Sequence, residues 1–199
     1  MKLSLSILGG LAALGLSAQA ATLTVTNVDG TTPTPIVDTG GALLGSGVYA
    51  VGTGDLAGLA ANNDIAGIKT TFQQFGDAIT TNLGPGIYQS TVTSTVGGSA
   101  FAGQNVYTVI GNGSSIADST ALAVWDHQFN FVAEADGNTS DAIIGRSGSA
   151  ILGNTVDADL GGGAVFPGLQ LVGGDMIPEP SSALLGLLGL SFLAFRRRK

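Results

Sequence analysis

Few side chains in this sequence could do chemistry. It holds one histidine, His127, and no cysteine, which excludes thiolate nucleophiles, thiol redox chemistry and disulfides. His127 directly follows Asp126, whereas a Ser-His-Asp relay needs side chains converging from separated positions, and no G-x-S-x-G elbow is present. The pair reads instead as a turn between two strands, with His127 a surface or turn residue. Glu134 is the only glutamate before position 179, and glycoside hydrolysis needs two carboxylates roughly 5–9.5 Å apart in a cleft, a separation that sequence spacing does not reveal. The expectation is that the chain is not an enzyme. Its best ligand set is Glu134, Asp136, Asn138 and Asp141 in the stretch EADGNTSD. Hard oxygen donors around a glycine suit calcium, but the spacing misses the EF-hand pattern. A solvated acidic loop is the favoured alternative, and no other cofactor is expected.

The C-terminus has a different character. Pro178 and Pro180 bracket Glu179; prolines lack an N–H and bias the preceding residue away from helix, so this segment is stiff and extended. An uncharged apolar run covers residues 183–195, and Arg196, Arg197, Arg198 and Lys199 close the chain. As a transmembrane helix the run would rise about 20 Å against a hydrocarbon thickness of roughly 30 Å. It is short for a permanent anchor. Snorkelling basic side chains favour transient spanning with the cluster on the cytoplasmic side.

This order of Pro-Glu-Pro, apolar segment and terminal basic cluster resembles the PEP-CTERM sorting signal of Gram-negative bacteria that make extracellular polysaccharide. The resemblance implies that the chain is a substrate. Its partner would be an exosortase, a membrane-embedded cysteine transpeptidase-like enzyme that would recognise Pro178, Glu179 and Pro180 and cleave there. It also implies export across the inner membrane, a transient membrane anchor, and then the cell surface or extracellular space. It says nothing of the domain being sorted.

The N-terminus supports export independently. Lys2 supplies a positive n-region, residues 3–16 are an apolar stretch, and Ala18-Gln19-Ala20 forms an A-x-A site. Residues 1–20 thus read as a signal peptide cleaved after Ala20. Between 21 and 177, two basic residues, Lys69 and Arg146, stand against thirteen acidic ones, a formal charge of −11. Such a surface repels nucleic acid and anionic lipid and can collect cations.

The elements between the signals are mostly strands. Thr, Ser, Gly, Val and Asn dominate, and long charged side chains are few. Alternation places Leu23 and Val25 on one face of a strand over 22–26, and further strands are expected at 47–52, 87–96 and 106–110. Segments 121–125 and 128–133 form two more, with 143–144, 149–152 and 155–158 weaker candidates. One helix is expected over 64–75, capped by Asn63 or Asp64 and ended by Gly76, with Ile65, Ile68, Phe72 and Phe75 on its core face.

The expected fold is mainly β: an antiparallel β-sandwich-like domain with one packed α-helix, flanked by an N-terminal signal helix and a C-terminal transmembrane helix. The expected domains are signal peptide 1–20, β-rich exported domain 21–165, linker 166–176 and sorting signal 177–199. A low-charge, cysteine-free, Thr- and Ser-rich exported domain suits a cell-surface or extracellular-matrix structural or adhesin-like protein. The alternative is a carbohydrate-binding module for exopolysaccharide, stacking sugars on Trp125, Tyr49, Tyr88 or Tyr107, and third a cryptic hydrolase. Exposed, coplanar aromatic rings would favour binding, and buried ones a structural domain.

Overall fold

The structure, a computed structural model, describes residues 20–80, 83–95, 101–132 and 139–174. The expected signal peptide up to residue 19, most of the acidic loop and the entire sorting segment lie outside these residues. Among the described residues the chain forms β1 (Ala20–Thr26), β2 (Val28–Asp29), β3 (Thr32–Pro33), β4 (Ile36–Val37), β5 (Val48–Thr53), α1 (Ala57–Ala61), α2 (Ile65–Thr71), β6 (Gln73–Gln74), β7 (Gln89–Thr95) and β8 (Asn105–Gly111). It continues through β9 (Ala121–Asn130), β10 (Thr139–Ile143), β11 (Ser149–Leu152), β12 (Asn154–Asp159), β13 (Val165–Gln170) and β14 (Val172–Gly173). The fold is mainly β, as expected.

The central sheet has the order β11-β9-β8-β5-β6, with β14 also paired to β9. Its middle strands are apolar on both faces, and the register sorts them cleanly. Tyr49 lies opposite Ile110, which lies opposite Ala123, on one face; Ala50, Val109 and Val124 align on the other. The first face joins a core cluster with Leu23 and Val25 of β1, Val92 of β7, Ala142 of β10, Ile36 of β4 and Leu169 of β13. These residues come from two smaller sheets, β10-β1-β7 and β12-β13-β4. The second face packs against Leu56, Ala60, Ile65 and Ile68 from the two helices. Each fully buried aliphatic side chain contributes roughly 1.5–3 kcal/mol, so neither cover is dispensable.

Pairing is antiparallel except between β1 and β10 and between β4 and β13, which run parallel. Neither parallel pair is a hairpin. The chain leaves the central sheet after β9 and enters another sheet at β10, so no tight turn imposes strand reversal.

The helix differs from expectation. Asp64 does cap it, its Oδ1 accepting from the Gly67 N–H at 2.8 Å, but α2 stops at Thr71. Phe72 is extended, β6 pairs with β5, and the Phe75 N–H donates to the Val51 carbonyl at 2.8 Å. Ile65, Ile68 and Phe72 accordingly stay on the helical side of the sheet, while Phe75 crosses to the other core. Gly52 permits this, since a Cβ there would strike the Gln73 carbonyl. A second short helix, α1, packs beside the first, so the expected single helix is two.

Two further corrections concern strands. Residues 121–130 form one strand rather than two joined by a turn at Asp126-His127. The register shifts between Asn105 and Tyr107 of β8, because β9 carries extra residues there. Gln128 takes a left-handed φ of 57°, and the strand bends without breaking. The expected linker 166–176 begins instead within β13, and Leu169 and Leu171 are buried, so the folded unit extends to Gly174.

One polar side chain ties the covers together. Asn27, fully buried, donates from Nδ2 to the carbonyls of Thr34 and Gly86, each at 2.7 Å, and accepts at Oδ1 from the Tyr88 N–H at 2.9 Å. Thr26 Oγ1 adds a bond to the Tyr88 carbonyl at 3.0 Å. Asn27→Ala would strand two carbonyls and one N–H away from water, each loss costing about 1–3 kcal/mol. The expected outcome is a loss of at least about 3 kcal/mol in urea unfolding, while Asn62→Ala, which removes one exposed side-chain hydrogen bond, costs less than about 1.5 kcal/mol.

Candidate functional site

The sequence pointed to four places where function could reside, and the structure separates them. His127 is the first. It lies within β9, 1 % exposed, with Nε2 at 2.8 Å from the Thr108 hydroxyl and its ring 5.7 Å from that of Phe129. This corrects the expectation of a surface or turn histidine: pairing with β8 continues past the bulge to Asn130 and carries the strand through His127. Nδ1 is buried with no hydrogen-bond partner among the described residues. The adjacent carboxylate does not orient the ring. Asp126 Oδ1 instead accepts from the Gln128 N–H and the Asn105 side-chain amide, both at 2.8 Å, pinning the bulge. Gly148 packs so closely there that a Cβ would overlap the Asp126 carbonyl. Burial pushes the imidazole down to about 4, against a weaker opposing pull from Asp126.

Of the candidate calcium ligands, only Asp141 is among the described residues. Its carboxylate faces Arg146, whose Nη1 donates to Asp141 Oδ2 at 3.2 Å and whose Nε donates to Asp29 Oδ1 at 2.9 Å. The guanidinium therefore joins β10 to the β2–β3 hairpin, and the Asp29 hydrogen bond, with Asp141 behind it, raises its pKa. Glu134, Asp136 and Asn138 lie outside the described residues. Among the described residues no three His, Asp or Glu side chains converge as a cation site requires.

The aromatic residues decide what is left for stacking. Tyr49 and Tyr88 are fully buried and stack on one another at 3.9 Å, and Tyr107 is 6 % exposed. None offers a face to a sugar. Burial, with Tyr49 alongside, holds the Tyr88 phenol well above its ordinary range. Trp125 alone is half-buried. Its Nε1 donates to the Ser147 carbonyl at 2.9 Å, and it lines a cleft of about 290 Å³ with Thr32, Pro33, Thr34, Thr155 and Pro167. Sequence reasoning singled out Trp125 but missed the cleft, whose residues come from β3, β9, β12 and β13.

The last site is the exit of the chain. β14 extends the row begun by β11 along β9, with Val172 opposite Leu122 and Gly173 opposite Ala121. The Gly174 N–H donates to the Thr120 carbonyl at 3.3 Å, and Asn63 Nδ2 reaches the Gly173 carbonyl at 3.4 Å. The folded unit is thus hydrogen-bonded to within four residues of Pro178. Fully extended, four residues span at most about 14 Å, and the nine from Gly174 to Ala183 about 32 Å. Pro178, Glu179, Pro180 and the cluster Arg196 to Lys199 all lie beyond it, outside the described residues. At the other end β1 begins at Ala20, and Ala21 is 8 % exposed within the core. Ala18 lies outside the described residues. Among those residues no helix is long and apolar enough to cross a membrane.

Residues 177–199 match the family described as the PEP-CTERM protein-sorting motif. The chain carries this motif from residue 177, three residues beyond the last described residue, Gly174. No curated protein and no solved structure matches the chain.

The buried histidine makes stability depend on pH. Its pKa is lower folded than unfolded, so protons bind the unfolded chain preferentially. Stability is therefore complete above about 6.5 and falls towards pH 4, by about 1.4 kcal/mol per pH unit. Urea unfolding at pH 7 and pH 5 should show wild type losing about 2 kcal/mol more than His127→Gln. Equal losses in the two proteins would mean that His127 is not the titrating group.

Proposed function

We propose that this chain is an exported protein sorted through its C-terminal motif, cut by an exosortase at Pro178-Glu179-Pro180, and left as a structural or adhesin-like component of the cell surface or extracellular matrix. The observation that carries this reading is the match of residues 177–199 to the sorting motif, which begins three residues after Gly174, a residue still hydrogen-bonded to the folded unit. The apolar run 183–195 and the basic cluster 196–199 hold the precursor in the inner membrane, with the domain outside. The short tether keeps that domain within about 32 Å of the apolar run until the Pro-Glu-Pro segment is cut. Residues 1–20 act as the export signal, and cleavage after Ala20 leaves Ala21 to begin the first strand. The buried tyrosines and the formal charge of −11 between residues 21 and 177 support a soluble, structural domain rather than one for nucleic acid or anionic lipid.

Intact-mass analysis of protein from cells and medium tests the sorting step. In a host with its exosortase the mass should correspond to a chain ending near Pro178. In a host without the exosortase, or with Glu179→Ala and Pro180→Ala together, the uncut C-terminus should persist. An uncut C-terminus in the wild-type host would overturn the reading and leave the tail a plain membrane anchor.

The second reading is a carbohydrate-binding module, which the Trp125 cleft favours. A half-buried indole beside three threonine hydroxyls offers a stacking face and hydrogen-bonding groups to a sugar ring. Trp125 is the only tryptophan, so its fluorescence reports the cleft directly. Titration with the host's exopolysaccharide should shift its emission saturably, and Thr34→Phe, which fills the cleft without adding a second indole, should abolish the saturable response. An unchanged spectrum would exclude the cleft as a sugar site.

A further inference from the structure

Among the described residues the sheet β10-β1-β7 ends at β7, which pairs there only with β1, in a register running unbroken from Ala20 opposite Thr95 to Thr26 opposite Gln89. Exposed edges are ordinarily blunted by charge, proline, bulges or shortness. Other edges of this protein follow that rule. β12 carries Asp157 and Asp159, β11 has a register shift, and β6 is two residues long. Strand β7 reads QSTVTST, with no charge, proline, glycine or bulge. In an antiparallel pair every second residue turns its backbone N–H and C=O away from its partner. A groove of about 350 Å³, between residues 77–80 and 90–93, runs along this edge.

The sequence of the edge indicates its partner. Ser90-Thr91-Val92-Thr93-Ser94 is a palindrome centred on Val92. Thr91 and Thr93 are exposed, Ser90 is half-buried and Val92 is 4 % exposed against the core. We propose that β7 is the edge at which two copies of this chain pair, antiparallel about a two-fold axis at Val92, joining their three-stranded sheets into one of six strands. Each side chain then meets its own kind: Val92 faces Val92, Thr91 faces Thr93 and Ser90 faces Ser94 of the second copy. Threonine pairs across strands are favourable, and a one-residue slip would set the inward-facing Val92 of one copy opposite an outward-facing threonine of the other, putting the two cores on opposite faces of the joined sheet, so the register is specified. Self-association is also electrostatically permitted here. Two chains each carrying −11 between residues 21 and 177 repel over most of their surface, but Asp77 is the only charged residue lining this groove. A two-fold interface is self-complementary by necessity, and a palindromic strand is the simplest sequence to satisfy it.

The absence of cysteine makes the test direct. Residues opposite one another in an antiparallel pair have Cα atoms about 4.5–5.5 Å apart, within disulfide range. Full-length Thr91→Cys and Thr93→Cys chains are oxidised in detergent, singly and mixed. The mixture should yield covalent dimer several-fold above either variant alone. Full-length Thr91→Lys, with an unchanged urea midpoint, should sediment in detergent as monomer where wild type sediments as dimer. No covalent dimer in the mixture, equal yields in all three samples, or a Thr91→Lys dimer as strong as wild type would each overturn the proposal. Association through the apolar tail produces the last two results, so it is told apart from pairing at β7.

Discussion

Everything in this structure answers to one constraint: β5, β8 and β9 are apolar on both faces, so the sheet they form must be covered twice. Alternation in the strands assigns Tyr49, Ile110 and Ala123 to one side and Ala50, Val109 and Val124 to the other. Two small sheets cover the first side and two short helices the second. Neither helix exceeds seven residues, a length that does not persist alone in water. Leu56, Ala60, Ile65 and Ile68 hold them in place by the area they bury against the sheet.

The polar groups inside are few, and their treatment differs. Asn27 has its amide bonded to three backbone groups from two separate segments, so its burial costs little and orients both segments. His127 is bonded only at Nε2 among the described residues, and the interior tolerates it by keeping it neutral. Among the described residues charged side chains stay out of the buried core, and Arg146 bridges Asp29 and Asp141 with about half of each side chain in water. Such exposed pairs contribute about 0–1 kcal/mol. Stability therefore rests on apolar burial and on buried backbone hydrogen bonds.

Function divides along the chain in the same way. The sorting motif needs no tertiary structure for its recognition as sequence: it is a local order of proline, acid, apolar run and basic cluster. The folded unit is hydrogen-bonded as far as Gly174 and presents two surfaces that sequence order does not reveal. The Trp125 cleft is assembled from four strands, and the β7 edge is the one at which, among the described residues, the sheet β10-β1-β7 stops.

By itself the sequence determined the sorting motif, the mainly β class and most strand positions. Period-two alternation at Leu23 and Val25, the two-sided apolar run at 106–110 and the acidic cap of α2 are local signals with local causes. Only tertiary structure decided the rest. Helix periodicity continues through Phe72 and Phe75, yet pairing with β5 ends α2 at Thr71 and sends Phe75 to the opposite core. Asp126-His127 looks like a turn because both residues are polar, but the strand runs through them, with Asp126 bonded to the bulge and His127 to Thr108. Asn27 carries no sequence signature, since its partners lie seven and about sixty residues away. The physical reason is common to all of these. Propensity acts over a few residues at fractions of a kcal/mol, whereas burying a sheet on both faces and satisfying its polar groups involves several kcal/mol from distant parts of the chain.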